Sequence, residues 1–195
     1  NDAESIDGGD KPDCGKPDWF MELSPHGQAP VLVTDDGRTI FESDPITEYV
    51  DEVIGKPFSS SDSVKKAQDR AWNGIANKLL SAQCSALRCS TESALDEKLP
   101  ELRDAFEKME SRVSGAPFVD GSELGMIDLA WLPILHRFDI VERHTGLDFI
   151  ADYPRLKRWQ QALLETGLAE KSVAPDFEAR FISFYLSPEN YLGQL

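Results

Sequence analysis

A small α/β domain followed by an all-helical bundle is the architecture this sequence predicts, and three observations predict it. Val31-Leu32-Val33 and Thr39-Ile40-Phe41 are short apolar runs on either side of Asp36-Gly37, a strong hairpin-turn signal. Ile46, Tyr49, Val50 and Val53 then recur at helical spacing. Beyond a Ser- and Asp-rich stretch, the apolar pattern is helical almost to the end of the chain. The expected division is a first domain over 1–56, a linker over 57–63 and a helical domain over 64–195.

Taken in order, Asn1 to Gly15 is Asp- and Gly-rich, with Ile6 nearly alone as an apolar residue, and reads as a loop or ragged terminus. Pro17-Asp18-Trp19-Phe20-Met21 opens a short helix, since proline suits a first helical position and Asp18 its positive end. Ser24-Pro25-His26-Gly27 ends that helix in a turn. After the hairpin, Glu42-Ser43-Asp44 enters a helix over about Ser43 to Val53, which Gly55-Lys56-Pro57 breaks. Val64, Ala67, Ala71, Ile75, Leu79 and Leu80 form one helical stripe, continued by Cys84 and Leu87. Leu95, Leu99, Leu102, Phe106, Met109 and Val113 form a second, which Pro100 either starts or kinks. Met126 to Arg143 is the most apolar segment and reads as the central helix of the bundle, with a bend at Pro133. Tyr153-Pro154 precedes another helix through Leu156, Trp159 and Leu163. Phe177, Phe181, Phe184 and Tyr185 make the tail apolar enough to pack back on the body.

Composition narrows the functional classes. The 195 residues are 41% hydrophobic, enough for a substantial core, and carry a formal net charge of −15. Such a surface repels phosphate backbones and anionic lipid, which argues against nucleic acid and membrane surfaces as partners. Any anionic ligand therefore needs donors supplied locally. Three cysteines, Cys14, Cys84 and Cys89, are too few and too odd in number for a disulfide framework, and fit a reducing, cytoplasmic setting. Cys84 and Cys89 diverge around a predicted helix, and His26, His136 and His144 lack zinc spacing, so no metal site is expected. No apolar run approaches ~18 residues and no leader is visible, although the chain begins at Asn1 and not at a Met.

Three further pieces, in order, carry a family resemblance. Lys16-Pro17-Asp18-Trp19-Phe20 resembles the Lys-Pro-Glu-Trp-Phe element of omega-like and many bacterial glutathione transferases. Gln28-Ala29-Pro30-Val31-Leu32 resembles the segment holding that family's cis-proline, and Phe41-Glu42-Ser43 its Glu-Ser pair at a helix start. Each piece alone is common; their order and spacing, followed by a linker and a bundle, make chance a poor explanation. The resemblance implies a thioredoxin-like N-terminal domain plus an all-α C-terminal helical bundle. It also implies glutathione as co-substrate, a small electrophile as second substrate, and a homodimer.

On this resemblance the glutathione-binding residues are Lys16, Gln28, Ala29, Pro30, Glu42 and Ser43, and the chemistry of the tripeptide accounts for each. A cis Ala29-Pro30 bond would present the Ala29 backbone to the extended cysteinyl backbone, as an added strand. Ser43 would offer its hydroxyl and N–H to the γ-glutamyl carboxylate at a helix start. Glu42 would accept from the ligand's ammonium, Lys16 would meet the glycyl carboxylate, and Gln28 would add a contact. Read without the resemblance, Pro30 equally starts a strand, Ser43 is an ordinary N-cap, and Lys16 is a solvated charge.

Gly125-Met126-Ile127-Asp128 matches the family's Ser/Thr-to-Asp capping box with glycine in the cap position. Asp128 can still accept from a backbone N–H there, while the reciprocal side-chain bond is lost; the motif serves folding. Trp72, Trp131 and Trp159 are expected in the core, and His136 and His144 in structural roles. The family's first strand and helix, bearing the Tyr, Ser or Cys that acts on the sulfur, should precede Lys16 by several tens of residues. Asn1 to Gly15 does not carry that element, so the first domain is expected to be incomplete in this chain. The catalytic residue is unassigned; Cys14 reads as a free, exposed thiol. Two functions follow: a detoxifying transferase that conjugates glutathione to an electrophile or uses it for thiol reduction, or a transferase-fold binding module without turnover.

Overall fold

The computed structural model describes residues 15–53, 55 and 57–195, so Lys11, Cys14 and the expected terminal loop lie outside the described residues. The chain divides between Pro57 and Phe58 into two compact units, each taken separately below.

In the first unit, helix α1 spans Asp18–Leu23 and strands β1, Val31–Val33, and β2, Thr39–Phe41, form an antiparallel hairpin. Pro17 sits one residue earlier than expected. It is extended at ψ 147° and caps α1, with the Phe20 N–H donating to its carbonyl at 2.8 Å. The hairpin closes because Gly37 takes φ +81° after a turn whose Thr34 carbonyl accepts from the Gly37 N–H at 2.8 Å. A type I turn followed by a left-handed glycine matches the twist of the flanking strands. Helix α2 follows over Ser43–Val53.

The second unit is all helical: α3 Ser63–Leu87, α4 Glu92–Asp96, α5 Leu99–Arg112, α6 Met126–Thr145, α7 Pro154–Glu165, α8 Leu168–Lys171, α9 Phe177–Tyr185 and a 3-10 turn over Tyr191–Gln194. The Ser/Asp stretch before α3 caps it, since the Asp62 carboxylate accepts from the Val64 and Lys65 N–H groups at 2.7 and 3.1 Å. The second apolar stripe is two helices: α4 ends at Asp96 and Pro100 lies in the first turn of α5, where its missing N–H costs nothing. Cys89 lies two residues beyond α3, so it does not share that helix with Cys84. Both thiols are free, and no metal-binding group of His, Cys, Asp and Glu occurs among the described residues.

Helix α6 packs against α3 and α7 at the centre of the unit. Trp131 and Trp159 are buried there with ring centroids 5.8 Å apart, and Trp72 packs partly buried against the same core. The tail returns as expected, with Phe181 and Leu192 buried. His136 is buried and stacks on Phe177 at 5.8 Å, and burial lowers its pKa. His144 has a partner that its neighbours in sequence do not reveal: its Nε2 lies 3.0 Å from Glu178 of α9. The Arg143 guanidinium grips the same carboxylate at 2.7 and 3.2 Å, and with His144 holds its pKa down to about 2. No helix among the described residues is long and apolar enough to cross a membrane.

Candidate functional site

The hairpin register decides which candidate residues share one end of the hairpin. Val31 pairs with Phe41, Leu32 with Ile40 and Val33 with Thr39. Val31–Phe41 is the last pair, so Ala29-Pro30, just before β1, and Glu42-Ser43, just after β2, lie at the same end of the hairpin. Two segments twelve residues apart in sequence thus converge at the open end of one hairpin. Ala29, Pro30, Glu42 and Ser43 are all exposed there.

Each strand enters this end in an unusual conformation. The Ala29–Pro30 peptide bond is cis. Glu42 has φ +70°, the one positive φ at a non-glycine among the described residues. A left-handed residue with a Cβ costs about 1–2 kcal/mol, and such strain gathers where a ligand must be held. The Glu42 carbonyl accepts from the Ile46 N–H at 3.2 Å and so opens α2. The Ser43 N–H is the first of that helix and has no acceptor within it. Asp44 follows directly, so the Ser43 donors are flanked by two carboxylates.

Lys16 and Gln28 join through the turn before the cis bond. The Lys16 ammonium donates to the Gly27 carbonyl and lies 5.7 Å from the Phe20 ring centre. It is therefore a tethered charge at the turn and not a freely solvated one. Ser24 carries no functional signal in the sequence, yet it organises this loop. Its buried hydroxyl donates to the Gln28 carbonyl and accepts from the Gln28 N–H, each at 2.9 Å, while its carbonyl accepts from the Gly27 N–H at 2.9 Å. The available signal was Ser-Pro at the start of a turn, a pattern too common to single out. Gly27 is required here: it has φ +61°, and a Cβ would stand 3.0 Å from the Met21 sulfur. Replacing Ser24 by Ala strips both backbone groups of Gln28 of their partner. We expect a loss of about 1–3 kcal/mol in unfolding free energy by urea titration, and a loss below a few tenths would show that water serves the loop equally well.

Known proteins place this arrangement. Residues 7–53 match the glutathione S-transferase N-terminal domain family and residues 92–162 the C-terminal domain family. Glutathione S-transferase omega-1 of Rattus norvegicus is 30% identical over 180 residues, covering 89% of this chain and 73% of that protein. The omega-1 protein of Sus scrofa is 29% identical over a stretch of the same length. A rice glutathione S-transferase, crystallised in complex with glutathione, superposes with a TM-score of 0.69 at 23% identity, covering 87% of this chain and 82% of that one. The fold is that of the glutathione transferases, a thioredoxin-like N-terminal domain with few strands here plus a helical C-terminal domain. The chain belongs to the glutathione S-transferase family.

Proposed function

We propose that this protein is a glutathione transferase-like enzyme that binds glutathione at the open end of the hairpin. It conjugates the tripeptide to a small electrophile or uses it for thiol reduction. The proposed organisation is a glutathione-binding domain over 1–56, a linker over 57–63 and a helical domain over 64–195. The observation that supports the reading is that the cis Ala29–Pro30 bond and the left-handed Glu42 before Ser43 flank the Val31–Phe41 pair at one end of the hairpin. In this reading the Ala29 backbone pairs with the cysteinyl backbone, Ser43 holds the γ-glutamyl carboxylate and Glu42 the ammonium. Lys16 and Gln28 lie on the turn that leads to Ala29, on the side proposed for the glycyl end. The assembly is a homodimer, and the free thiols of Cys84 and Cys89 suit a reducing cytoplasm.

The chemistry asked of the enzyme is to hold the glutathione sulfur as thiolate near neutral pH, where it is the nucleophile. Calorimetry with glutathione tests the binding half. Saturable binding is expected at millimolar ligand or below, and Ser43→Ala should weaken it by about 1–3 kcal/mol, as for a lost hydrogen bond to a charged group. Unchanged affinity removes Ser43 from the site, and no binding at millimolar ligand removes the site. Turnover is tested with a broad electrophile panel and a disulfide substrate. Binding without either activity identifies a transferase-fold binding module.

A further inference from the structure

We propose that a cavity in the helical unit binds a small arylalkylamine, seating one aromatic ring on an apolar floor with the ammonium among carboxylates at its mouth. The cavity has a volume of about 190 Å³ and lies between α4, the first turns of α5, the segment joining α6 to α7 and the C-terminal 3-10 turn. All its walls belong to the helical unit, so the proposal stands apart from the glutathione reading.

The apolar floor is formed by the half-buried Leu99, Leu147 and Phe149, backed by Leu95, Leu102 and Phe106, which are 4%, 0% and 1% exposed. Phe106 meets Tyr153 edge-on at 5.5 Å, and Phe149, also lining the cavity, packs on Phe138 at 5.0 Å. These side chains hold one another, so the cavity keeps its shape without a ligand. An apolar cavity of about 150 Å³ is enough to take up benzene, so this one has room for a single ring and a short arm.

The mouth selects the charge of that arm. Glu92, Asp96 and Asp152 line it and are exposed, with Arg103 as the single basic residue of the lining. A fourth carboxylate, Asp148, is already engaged: it sits 2.9 Å from the Lys157 ammonium and caps the Ile150 N–H at 2.9 Å. Three carboxylates against one guanidinium, on a chain of net charge −15, repel an anion and attract a cation. Tyr153 and Tyr191 complete the lining. Burial and nearby carboxylates, Glu107 for Tyr153 and Glu92 for Tyr191, keep both phenols protonated, so their rings add cation–π attraction and no negative charge of their own. Apolar floor, aromatic wall and anionic rim together define the complement of a protonated amine one or two carbons from an aromatic ring.

The probe is 2-phenylethylamine, with 2-phenylethanol and phenylacetate as neutral and anionic analogues of the same shape. Calorimetry on the full chain at low salt should show saturable binding of the amine, with a Kd of about 1 mM or tighter for a ligand of this size. The alcohol and the acid should bind at least about tenfold more weakly, and added salt should weaken the amine. The double variant Asp96→Asn/Asp152→Asn alters only exposed side chains, so it retains the fold, and it should weaken the amine about tenfold. Amide shifts on titration should cluster at Leu99, Phe149 and Tyr153. The proposal is overturned if the amine does not saturate, if phenylacetate matches it, if the double variant binds it unchanged, or if the shifts cluster elsewhere.

Discussion

Replacing Asp128 by Ala should lower the unfolding free energy by about 3–4 kcal/mol, one of the two largest losses expected from a single substitution in this chain. Asp128 is 1% exposed and holds three donors from three parts of the helical unit. Its Oδ1 accepts from the Val119 N–H at 3.0 Å and the Trp159 indole N–H at 2.7 Å, and its Oδ2 from the Gly125 N–H at 2.8 Å. Burial pushes the carboxyl above its ordinary pKa, and these three donors oppose that shift. The carboxylate thus starts α6, closes the turn before it and ties in α7. Alanine leaves all three donors buried without an acceptor. Asp128→Asn should cost less, because one amide oxygen can still accept. Urea unfolding followed by circular dichroism reads both, and a loss under 1 kcal/mol for the alanine variant would falsify the assignment of Asp128 as the organising acceptor.

The second large effect is expected at Trp131, where truncation to Ala should cost about 3–5 kcal/mol through lost burial and the cavity left behind. Trp131 is fully buried on α6 against Trp159. The two indoles differ in one respect that allows a sharper test. The Trp159 N–H is bonded to Asp128, whereas the Trp131 N–H is buried with no acceptor among the described residues. Phenylalanine removes the N–H from each. At Trp131 it removes an unsatisfied donor and offsets part of the lost packing; at Trp159 it breaks a hydrogen bond to a charged group. Trp131→Phe should therefore be the milder of the two in the same unfolding assay. The reverse order would mean that the Trp131 N–H has an acceptor, such as an internal water.

Much of the fold was legible because its signals are local. Asp36-Gly37 between apolar runs specifies a hairpin through the left-handed glycine, and helix α2 occupies the range its apolar spacing predicts. The α6 segment was recognisable from its apolar content, and Gly125 with Asp128 from their spacing. Boundaries were less legible. The stripe from Leu95 to Val113 keeps helical spacing across the break between α4 and α5, and Pro100, which either starts or kinks a helix, marks the start of α5.

Of the candidate site, the residue types could be read and their convergence could not. Ser43 at a helix start and Pro30 at a strand start are ordinary in isolation, and only the pairing of Val31 with Phe41 puts both at one end of the hairpin. Ser24 is not legible as an organising residue because its hydroxyl acts on a residue four positions away, through a turn that the sequence marks only as a turn. The bond between Trp159 and Asp128 spans 31 residues, and the grip of Glu178 on Arg143 and His144 spans 35 and 34. No periodicity or local composition encodes pairs so distant.

The sequence by itself determined the order of elements, the apolar faces and the acidic surface, because turn chemistry, helical spacing and charge act over a few neighbouring residues. Tertiary structure alone decided the hairpin register that puts Ala29-Pro30 and Glu42-Ser43 at one end, the left-handed Glu42, the three donors gathered on Asp128 and the carboxylate-rimmed cavity. Those features depend on the distance between groups far apart along the chain, and packing sets that distance.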